Sequence, residues 1–269
     1  MSSTSEPRGR GREICIEVRG LTLGYGGTPV LRDIDFRVRR RSIFIVMGES
    51  GCGKSTLMRA MIGLLPPLDG EIYYAGAPFW SADPATRQLV QCRFGVLFQS
   101  GALWSSLTVG ENLALPLRRH TTLAPREIAD LVAFKLALVG LGGREELYPH
   151  ELSGGMRKRA GIARALALDP ELVFLDEPSA GLDPPTARNL DELILELRDS
   201  LDITFIVVTH ELASLLTIGD DSIFLDAQTQ TVLACGPPRR LARDGPPKVR
   251  AFLTRGAERG AAPATEPRS

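Results

Sequence analysis

The stretch that decides the fold is Gly48-Glu-Ser-Gly-Cys-Gly-Lys-Ser-Thr56. An apolar run at residues 43–47 precedes it, and residues 57–62 after it have the composition of a helix. A strand, a loop of the form G-x-x-x-x-G-K-[ST] and a helix, in this order, are typical of a loop that binds phosphate. A plain glycine-rich turn is the alternative, but it does not explain the complete motif. The stretch therefore predicts that the chain binds a nucleoside triphosphate.

Each residue type in this loop has a physical reason to be there. Glycine allows backbone conformations closed to other residues, so successive N–H groups can point into one concavity. The following helix adds partial positive charge at its N-terminus. Lys54 is expected to reach the β- and γ-phosphates, and the Ser55 hydroxyl to ligate Mg²⁺. The predicted nucleotide contacts are Gly48, Glu49, Ser50, Gly51, Cys52, Gly53, Lys54, Ser55 and Thr56.

Composition narrows the classes of protein that fit this 269-residue chain. Its 32 basic and 32 acidic side chains cancel, whereas a non-specific nucleic-acid binder usually carries a basic excess. The four cysteines lie far apart without C-x-x-C pairs, which is typical of reduced thiols. No segment approaches the ~20 apolar residues needed to span a bilayer, and the N-terminus lacks the pattern of a secretory signal. We therefore expect no nucleic-acid partner, and a membrane role only through other proteins.

Short apolar runs alternate with helical patterns along the chain, which predicts a mostly parallel α/β core. A small antiparallel β region is expected from the first strands and residues 71–74. Residues 1–12 and 256–269 are predicted to be disordered tails around a single domain at 14–255. The predicted strands are 14–18, 30–38, 43–47, 71–74, 94–98, 172–177, 203–208, 222–225 and 231–234. Helical patterns begin at 57 and 103 and cover 126–138, 156–168, 184–198 and 249–253.

Four further signals follow the phosphate loop in the chain: Gln99, Leu152-Ser-Gly-Gly-Met156, Asp176-Glu177 and His210. Asp176 is a hard oxygen ligand suited to Mg²⁺, and the Glu177 carboxylate can polarise a water that attacks the γ-phosphate. Ser153 and the next two glycines offer a hydroxyl and two N–H groups at a helix start, a second anion site. The helix that follows carries the basic residues Arg157, Lys158, Arg159 and Arg164. These basic residues form either a solvated face or a contact with ATP or a partner.

Together with the phosphate loop, these signals make residues 14–235 resemble the ATP-binding subunit of ABC transporters. The resemblance implies a P-loop NTPase (RecA-like) core with an antiparallel β subdomain and a helical signature subdomain at about 103–168. It implies that Gln99 touches Mg²⁺ and the attacking water, and that His210 contacts the γ-phosphate. Tyr25 would stack on adenine. The metal ligands would be Ser55, Gln99 and Asp176, and the catalytic residues Glu177, His210 and Gln99.

The resemblance also implies a head-to-tail homodimer with two ATP molecules in its interface. Ser153, Gly154 and Gly155 of one subunit would close on the ATP held by the other, and Asp183 would lie across the interface. The chain departs from the family at one signature position, where Met156 replaces the commoner Gln. The Ser-Gly-Gly contacts do not depend on that residue.

Three segments are similar to the ATPases of MCE-type lipid transporters, including the maintenance-of-lipid-asymmetry (Mla) system: residues 97–104, 112–118 and 153–161. Residues 249–253 resemble the C-terminal segment of that subgroup more weakly. The similarity implies two MlaE-like permease subunits, which dock near residues 102–117, and a periplasmic MCE-domain protein. It also implies a small regulatory subunit, a phospholipid or other lipid substrate, and a peripheral location on the cytoplasmic face of the inner membrane.

Two other functions stay open at this point. The chain could serve another ABC importer or exporter, which would differ only in its partner. It could also be a non-transport ABC protein that acts on DNA or ribosomes. Lys54 and Ser153 are 99 residues apart without a long heptad run, and the chain has one nucleotide-binding unit. These two features disfavour the non-transport reading.

Overall fold

A computed structural model describes residues 13–99, 101 and 103–259 of the chain. The tail predicted at 1–12 and most of the one predicted at 256–269 lie outside the described residues. The described strands are β1 (Ile14–Tyr25), β2 (Thr28–Arg39), β3 (Ile43–Gly48), β4 (Asp69–Tyr74), β5 (Ala77–Pro78), β6 (Phe94–Leu97), β7 (Leu172–Asp176), β8 (Thr204–Val208), β9 (Asp221–Asp226) and β10 (Thr231–Cys235).

These strands form two sheets. The first is antiparallel, in the order β2-β1-β4-β5. The second has the order β10-β9-β3-β8-β7-β6, and its strands are parallel except for β10. This architecture confirms the predicted α/β fold with a parallel core and an antiparallel β region.

The described helices are α1 (Lys54–Met61), α2 (Pro84–Gln91), α3 (Val109–His120), α4 (Pro125–Leu138), α5 (Gly154–Ala165), α6 (Pro184–Leu201), α7 (Leu212–Ile218), α8 (Pro238–Asp244) and α9 (Pro247–Arg259). Helices α3, α4 and α5 occupy the region where a helical subdomain is expected. Within the part of the chain that the structure covers, no helix combines the length and apolar character needed to cross a membrane.

Several predicted boundaries are wrong. β1 continues to Tyr25 instead of ending at residue 18, through register shifts after Val18. α3 begins at Val109, not at 103, because Thr108 and Glu111 form a capping box there. α5 ends at Ala165, three residues before the predicted end. α9 extends to Arg259, so its last four residues fall within the segment predicted as a tail.

Two clusters of buried apolar side chains cover the faces of the six-stranded sheet. Along β3, Ile43, Ile45 and Met47 contribute to the cluster shared with the helices α3 to α7. Phe44 and Val46, between them, belong to the cluster shared with α1 and the antiparallel sheet. This alternation is expected of a strand covered on both faces, because successive side chains point in opposite directions.

The order of the parallel strands positions the site. β3, β8, β7 and β6 are consecutive neighbours in the sheet. Their carboxyl ends lead into the phosphate loop, His210, the Asp176-Glu177 pair and Gln99, respectively. Ligands of open α/β sheets bind outside the carboxyl ends of the strands. The four separate sequence signals therefore meet at one edge.

Candidate nucleotide-binding site

A single pocket lies at this edge of the sheet, with a volume of about 1280 Å³. It is large enough for a nucleotide, since typical ligand pockets have volumes of roughly 300–1,000 Å³. The predicted site residues that line it are Tyr25, Gly48, Glu49, Ser50, Gly51, Gly53, Lys54, Ser55, Thr56, Gln99, Asp176, Glu177 and His210. Residues as far apart in sequence as Tyr25 and His210 thus share one cavity, and most of the predicted site residues line it.

The phosphate loop depends on glycine at two positions in particular. Gly53 caps α1 in the left-handed region, at φ 99°. Gly48 has φ 151°, and a Cβ atom there would lie 2.5 Å from the carbonyl oxygen of Leu225. No side chain can therefore be accommodated at Gly48 without moving the backbone of the neighbouring strand β9.

Lys54 is buried at the start of α1, and its ammonium rests on the loop itself. Its Nζ donates to the carbonyl oxygens of Gly48, at 2.9 Å, and Glu49, at 3.0 Å. Because an ammonium has three donors, one remains to bind a phosphate oxygen. The geometry therefore holds a positive charge in the cradle of the loop.

Cys52 is the one residue of the predicted loop whose side chain does not line the pocket. Its thiol is buried in the cluster beneath the antiparallel sheet, 2% exposed, and burial raises its pKa. Its backbone N–H donates to the Glu49 carbonyl oxygen at 3.3 Å. The structure thus gives the Cys52 side chain a packing role.

Tyr25 stands at the mouth of the pocket, at the end of β1, and is 48% exposed. Its hydroxyl lies 3.5 Å from the Thr56 Oγ1 atom and accepts a hydrogen bond of 3.2 Å from Arg59. The contact with Thr56, and then Arg59, lowers the pKa of the Tyr25 hydroxyl. These contacts connect the ring to α1, and stacking on adenine stays a prediction.

The Asp176-Glu177 pair ends β7. Glu177 has a left-handed backbone, φ 49°, and its N–H donates to the Val208 carbonyl oxygen at 2.8 Å. The Glu177 Oε2 atom is buried and has no hydrogen-bond partner within the described part of the chain. Burial, followed by the charge of Glu177, raises the pKa of Asp176. Glu177 is therefore a nearly buried carboxylate with one free acceptor, as a base that holds a water requires.

His210 follows β8 and lies against this carboxylate. Its Nδ1 atom is 2.7 Å from the Glu177 Oε1 atom. An ionised carboxylate can only accept, so the Nδ1 atom carries the hydrogen and donates it. More than half of the His210 side chain is exposed. The exposed imidazole can therefore contact a ligand in the pocket.

The three predicted magnesium ligands are brought together as well. Ser55, Gln99 and Asp176 line the same pocket as Lys54, and each of the three has a side-chain oxygen. Mg²⁺ prefers hard oxygen donors and takes several of its ligands from substrate phosphates and water. The donor set therefore fits this ion.

The signature residues Ser153, Gly154 and Gly155 lie outside this pocket. Ser153 caps α5 by accepting a hydrogen bond of 3.3 Å from the Met156 N–H, and neither it nor the following two glycines lines the pocket. A Cβ atom on Gly155 would lie 2.4 Å from the Thr186 Cγ2 atom, so the start of α5 packs closely against α6. Asp183 caps α6 through bonds from the Thr186 hydroxyl and N–H, which lower its pKa. The structure therefore separates Ser153, Gly154, Gly155 and Asp183 from the pocket of their own chain.

Sequence reasoning missed two parts of the site. Glu211, Leu212 and Ala213 at the start of α7, with Phe252 of α9, line the pocket although no motif marks them. Lys158 is buried, which rules out a solvated position for this member of the basic cluster, whereas Arg157 is exposed. The sequence leaves the basic cluster open between a solvated face and a contact with ATP or a partner, and the weak resemblance at 249–253 includes Phe252.

A parallel α/β sheet with a phosphate loop after β3 and an acidic pair after β7 defines the class of P-loop ATPases. The family model described as ABC transporter matches residues 31–180. The chain belongs to the ABC transporter family. This result confirms the family predicted from the motifs.

Two groups of relatives are 39–40% identical to the chain over the aligned residues. The probable ribonucleotide transport ATP-binding protein mkl of Mycobacterium tuberculosis (strain ATCC 25618 / H37Rv) is 40% identical over 240 residues, 89% of this chain. The match spans 66% of that protein, just under two thirds. The intermembrane phospholipid transport system ATP-binding protein MlaF of Escherichia coli (strain K12) is 39% identical over 238 residues, 88% of each chain.

Solved structures agree with the fold. The cbiO1 protein from Clostridium perfringens, part of the ABC transporter complex cbiONQ, has a TM-score of 0.79 at 27% identity and covers 93% of this chain and 98% of its own. The ATP-binding cassette MJ0796 was solved as a dimer in a post-hydrolysis state bound to ADP and Pi. Its TM-score is 0.73 at 26% identity, and the match covers 82% of this chain and 97% of that one.

Proposed function

We propose that the chain is the ATP-hydrolysing subunit of an MCE/Mla-type transporter that moves phospholipid or another lipid across the cell envelope. The observation that carries the ATPase part is the pocket that joins Lys54, Asp176, Glu177, His210 and Gln99. The lipid part is supported by the identity with MlaF, which covers 88% of both chains.

Hydrolysis follows from the positions of the side chains. Lys54 and the loop N–H groups bind the β- and γ-phosphates. Glu177, held by His210, accepts a proton from the water that attacks the γ-phosphorus, and the bond to ADP breaks. Ser55, Gln99 and Asp176 would hold Mg²⁺, which supplies charge neutralisation of the phosphates.

The site requires a second copy of the chain. The phosphate pocket lacks Ser153 and its two glycines, although these residues offer anion donors at a helix start. The proposed homodimer brings the α5 start of one subunit to the nucleotide of the other, with Asp183 near the interface. The dimeric state of the MJ0796 cassette supports this arrangement.

The proposed partners are two MlaE-like permease subunits, a periplasmic MCE-domain protein reached through them, and a small regulatory subunit. The chain would lie on the cytoplasmic face of the inner membrane as a peripheral subunit. The two groups of relatives differ in cargo, because the mycobacterial protein is a probable ribonucleotide transport ATP-binding protein. Ribonucleotide transport is therefore the second candidate, with the same ATPase chemistry.

Purification of the tagged chain from native membranes tests the cargo. Membranes with the Lys54→Ala variant are the matched control. The proposal expects a co-purified permease, phospholipid enriched in its mass spectrum, and ATP hydrolysis stimulated in phospholipid proteoliposomes. Binding of radiolabelled ribonucleotide by the complex, without lipid enrichment, would support the second candidate instead. A complex without ATPase activity would refute the enzymatic part.

A further inference from the structure

Lys158 occupies an unusual position among the basic residues of α5. It is 8% exposed, whereas its neighbour Arg157 is exposed and donates to the Leu152 carbonyl oxygen at 2.9 Å. Its Nζ atom donates to two main-chain oxygens, that of Gln99 at 2.6 Å and that of Glu177 at 3.1 Å. One ammonium thus joins three segments that are far apart in sequence.

Both acceptor residues belong to the catalytic pocket. Gln99 lies two residues beyond β6, and Glu177 lies one residue beyond β7, the adjacent strand in the sheet. The side chains of both residues line the pocket, while Lys158 reaches their carbonyl oxygens and does not line it. Lys158 therefore connects the helix that begins with the signature to the two loops that carry the predicted water-handling groups.

The backbone of Glu177 needs support. A left-handed conformation in a residue other than glycine costs roughly 1–2 kcal/mol, and Glu177 has φ 49°. Its N–H donates to the Val208 carbonyl oxygen at 2.8 Å, and its own carbonyl oxygen accepts from Lys158 Nζ at 3.1 Å and from the Ala180 N–H at 3.2 Å. The direction of the Glu177 side chain follows from this backbone, so the ammonium helps to aim the carboxylate.

The charge of Lys158 is balanced locally. Burial lowers its pKa, and the carboxylates of Glu177 and Asp176 act in the opposite direction. A buried cation persists only where hydrogen bonds and opposite charges replace its water. The two carbonyls supply the hydrogen bonds, and the acidic pair supplies the charge.

We propose that Lys158 is a positioning residue for ATP hydrolysis. It acts through the carbonyl groups of Gln99 and Glu177 and fixes both loops relative to the signature helix. The inference rests on the proposed ATPase function and deepens it. It requires that loss of the two hydrogen bonds slow hydrolysis while the phosphate loop, which Lys158 does not touch, still binds ATP.

Three variants of the full-length chain test this role: Lys158→Met removes the donors at similar length, Lys158→Gln keeps two N–H donors without charge, and Arg126→Met, at an exposed position of α4, is the control. ATP affinity is measured by calorimetry, kcat by phosphate release from the assembled transporter, and folding by melting temperature. We expect Lys158→Met to lower kcat roughly 10–100-fold, because small misplacements in active sites have effects of that size. ATP affinity should change less than about threefold, since the phosphate contacts remain.

The conservative variant separates positioning from general stability. Lys158→Gln should recover most of the lost kcat, and the exposed control Arg126→Met should match the wild-type protein. Unchanged kcat in Lys158→Met, or equal losses of kcat and ATP affinity in both Lys158 variants, would overturn the proposal. If Lys158→Met does not fold, Lys158→Ala replaces it under the same criteria. An inactive wild-type transporter would instead refute the ATPase function itself.

Discussion

Glu177 combines three features that a structural carboxylate does not need: a left-handed backbone, a hydrogen bond to His210 and a buried oxygen without a partner in the described chain. An unpaired buried acceptor destabilises a fold by about 1–3 kcal/mol. Such features concentrate at functional sites, where strain and unmet hydrogen bonds are part of the mechanism. A water bound to this oxygen would remove the penalty and stand ready for deprotonation.

Glu177→Gln should retain ATP binding and slow hydrolysis by roughly 10²–10⁴-fold, the usual contribution of a general base. The amide has nearly the same shape but cannot accept the proton. The check is single-turnover hydrolysis in the assembled transporter, with ATP affinity measured in parallel. Wild-type turnover would remove Glu177 from the mechanism.

At the residue scale, the sequence predicted the features that depend only on residues adjacent in the chain. Residues 48–56 form a contiguous motif whose function depends on its own backbone, so its position follows from spacing alone. The two hydrogen bonds of Lys158 span 59 and 19 positions, and its burial depends on how β6 and β7 end. No pattern within α5 distinguishes Lys158 from the exposed Arg157.

At the scale of elements, α6 and α7 meet through a buried polar group. Asp191 of α6 is 4% exposed, and its Oδ1 atom has no hydrogen-bond partner among the described residues. Burial raises its pKa from 3.8 to about 6, and a hydrogen bond with Ser214 of α7 opposes that shift. Ser214 in turn lies 3.4 Å, Oγ to Oγ, from Ser179, which follows the acidic pair. The contact of the two helices thus holds a carboxylate that is charged at neutral pH.

Asp191→Asn should raise the free energy of unfolding by about 1–3 kcal/mol at pH 7.5. The folded protein binds the Asp191 proton more tightly than the unfolded chain, so the cost of the charge is absent below pH 3.8 and grows as the pH rises to about 6. The increase in the free energy of unfolding caused by Asp191→Asn should therefore become smaller as the pH falls from 6 to 4.

Urea unfolding of both proteins at pH 7.5, 6 and 5 measures this dependence. Glu196→Gln, an exposed change on the same helix, is the control and should have little effect at any pH. If Asp191→Asn raised the free energy of unfolding equally at every pH, or lowered it at pH 7.5, the Asp191 charge would be compensated in the folded state.

Element boundaries were predictable only where the sequence carried its own signal. The strands of the parallel core were found because both faces are covered, so their apolar runs are continuous. β1 was cut short because glycines at 20 and 24 resemble turn residues, whereas Gly20 lies at a shift in strand register. The helices α2, α7 and α8 have seven or eight residues each, too few for a helical period to stand out.

At the scale of the whole molecule, the nucleotide pocket and the signature form two separate anion sites. The pocket lies at the carboxyl edge of the parallel sheet, and Ser153 begins a helix whose N-terminus is outside that pocket. The start of α5 therefore does not contribute to the nucleotide pocket of its own chain. In the proposed head-to-tail homodimer, it would meet the triphosphate held by the other copy. The sequence indicated this only through the family resemblance, because no pattern within one chain encodes its contact with a second.

The most direct test measures the molar mass of Glu177→Gln in solution by light scattering after size exclusion, with saturating ATP and magnesium. The account predicts a shift from the monomer mass of 29.2 kDa to about twice that value. The double variant Glu177→Gln/Lys54→Ala, which lacks the phosphate contact, should stay monomeric. A monomer of Glu177→Gln under these conditions, both alone and together with its permease, would contradict the account.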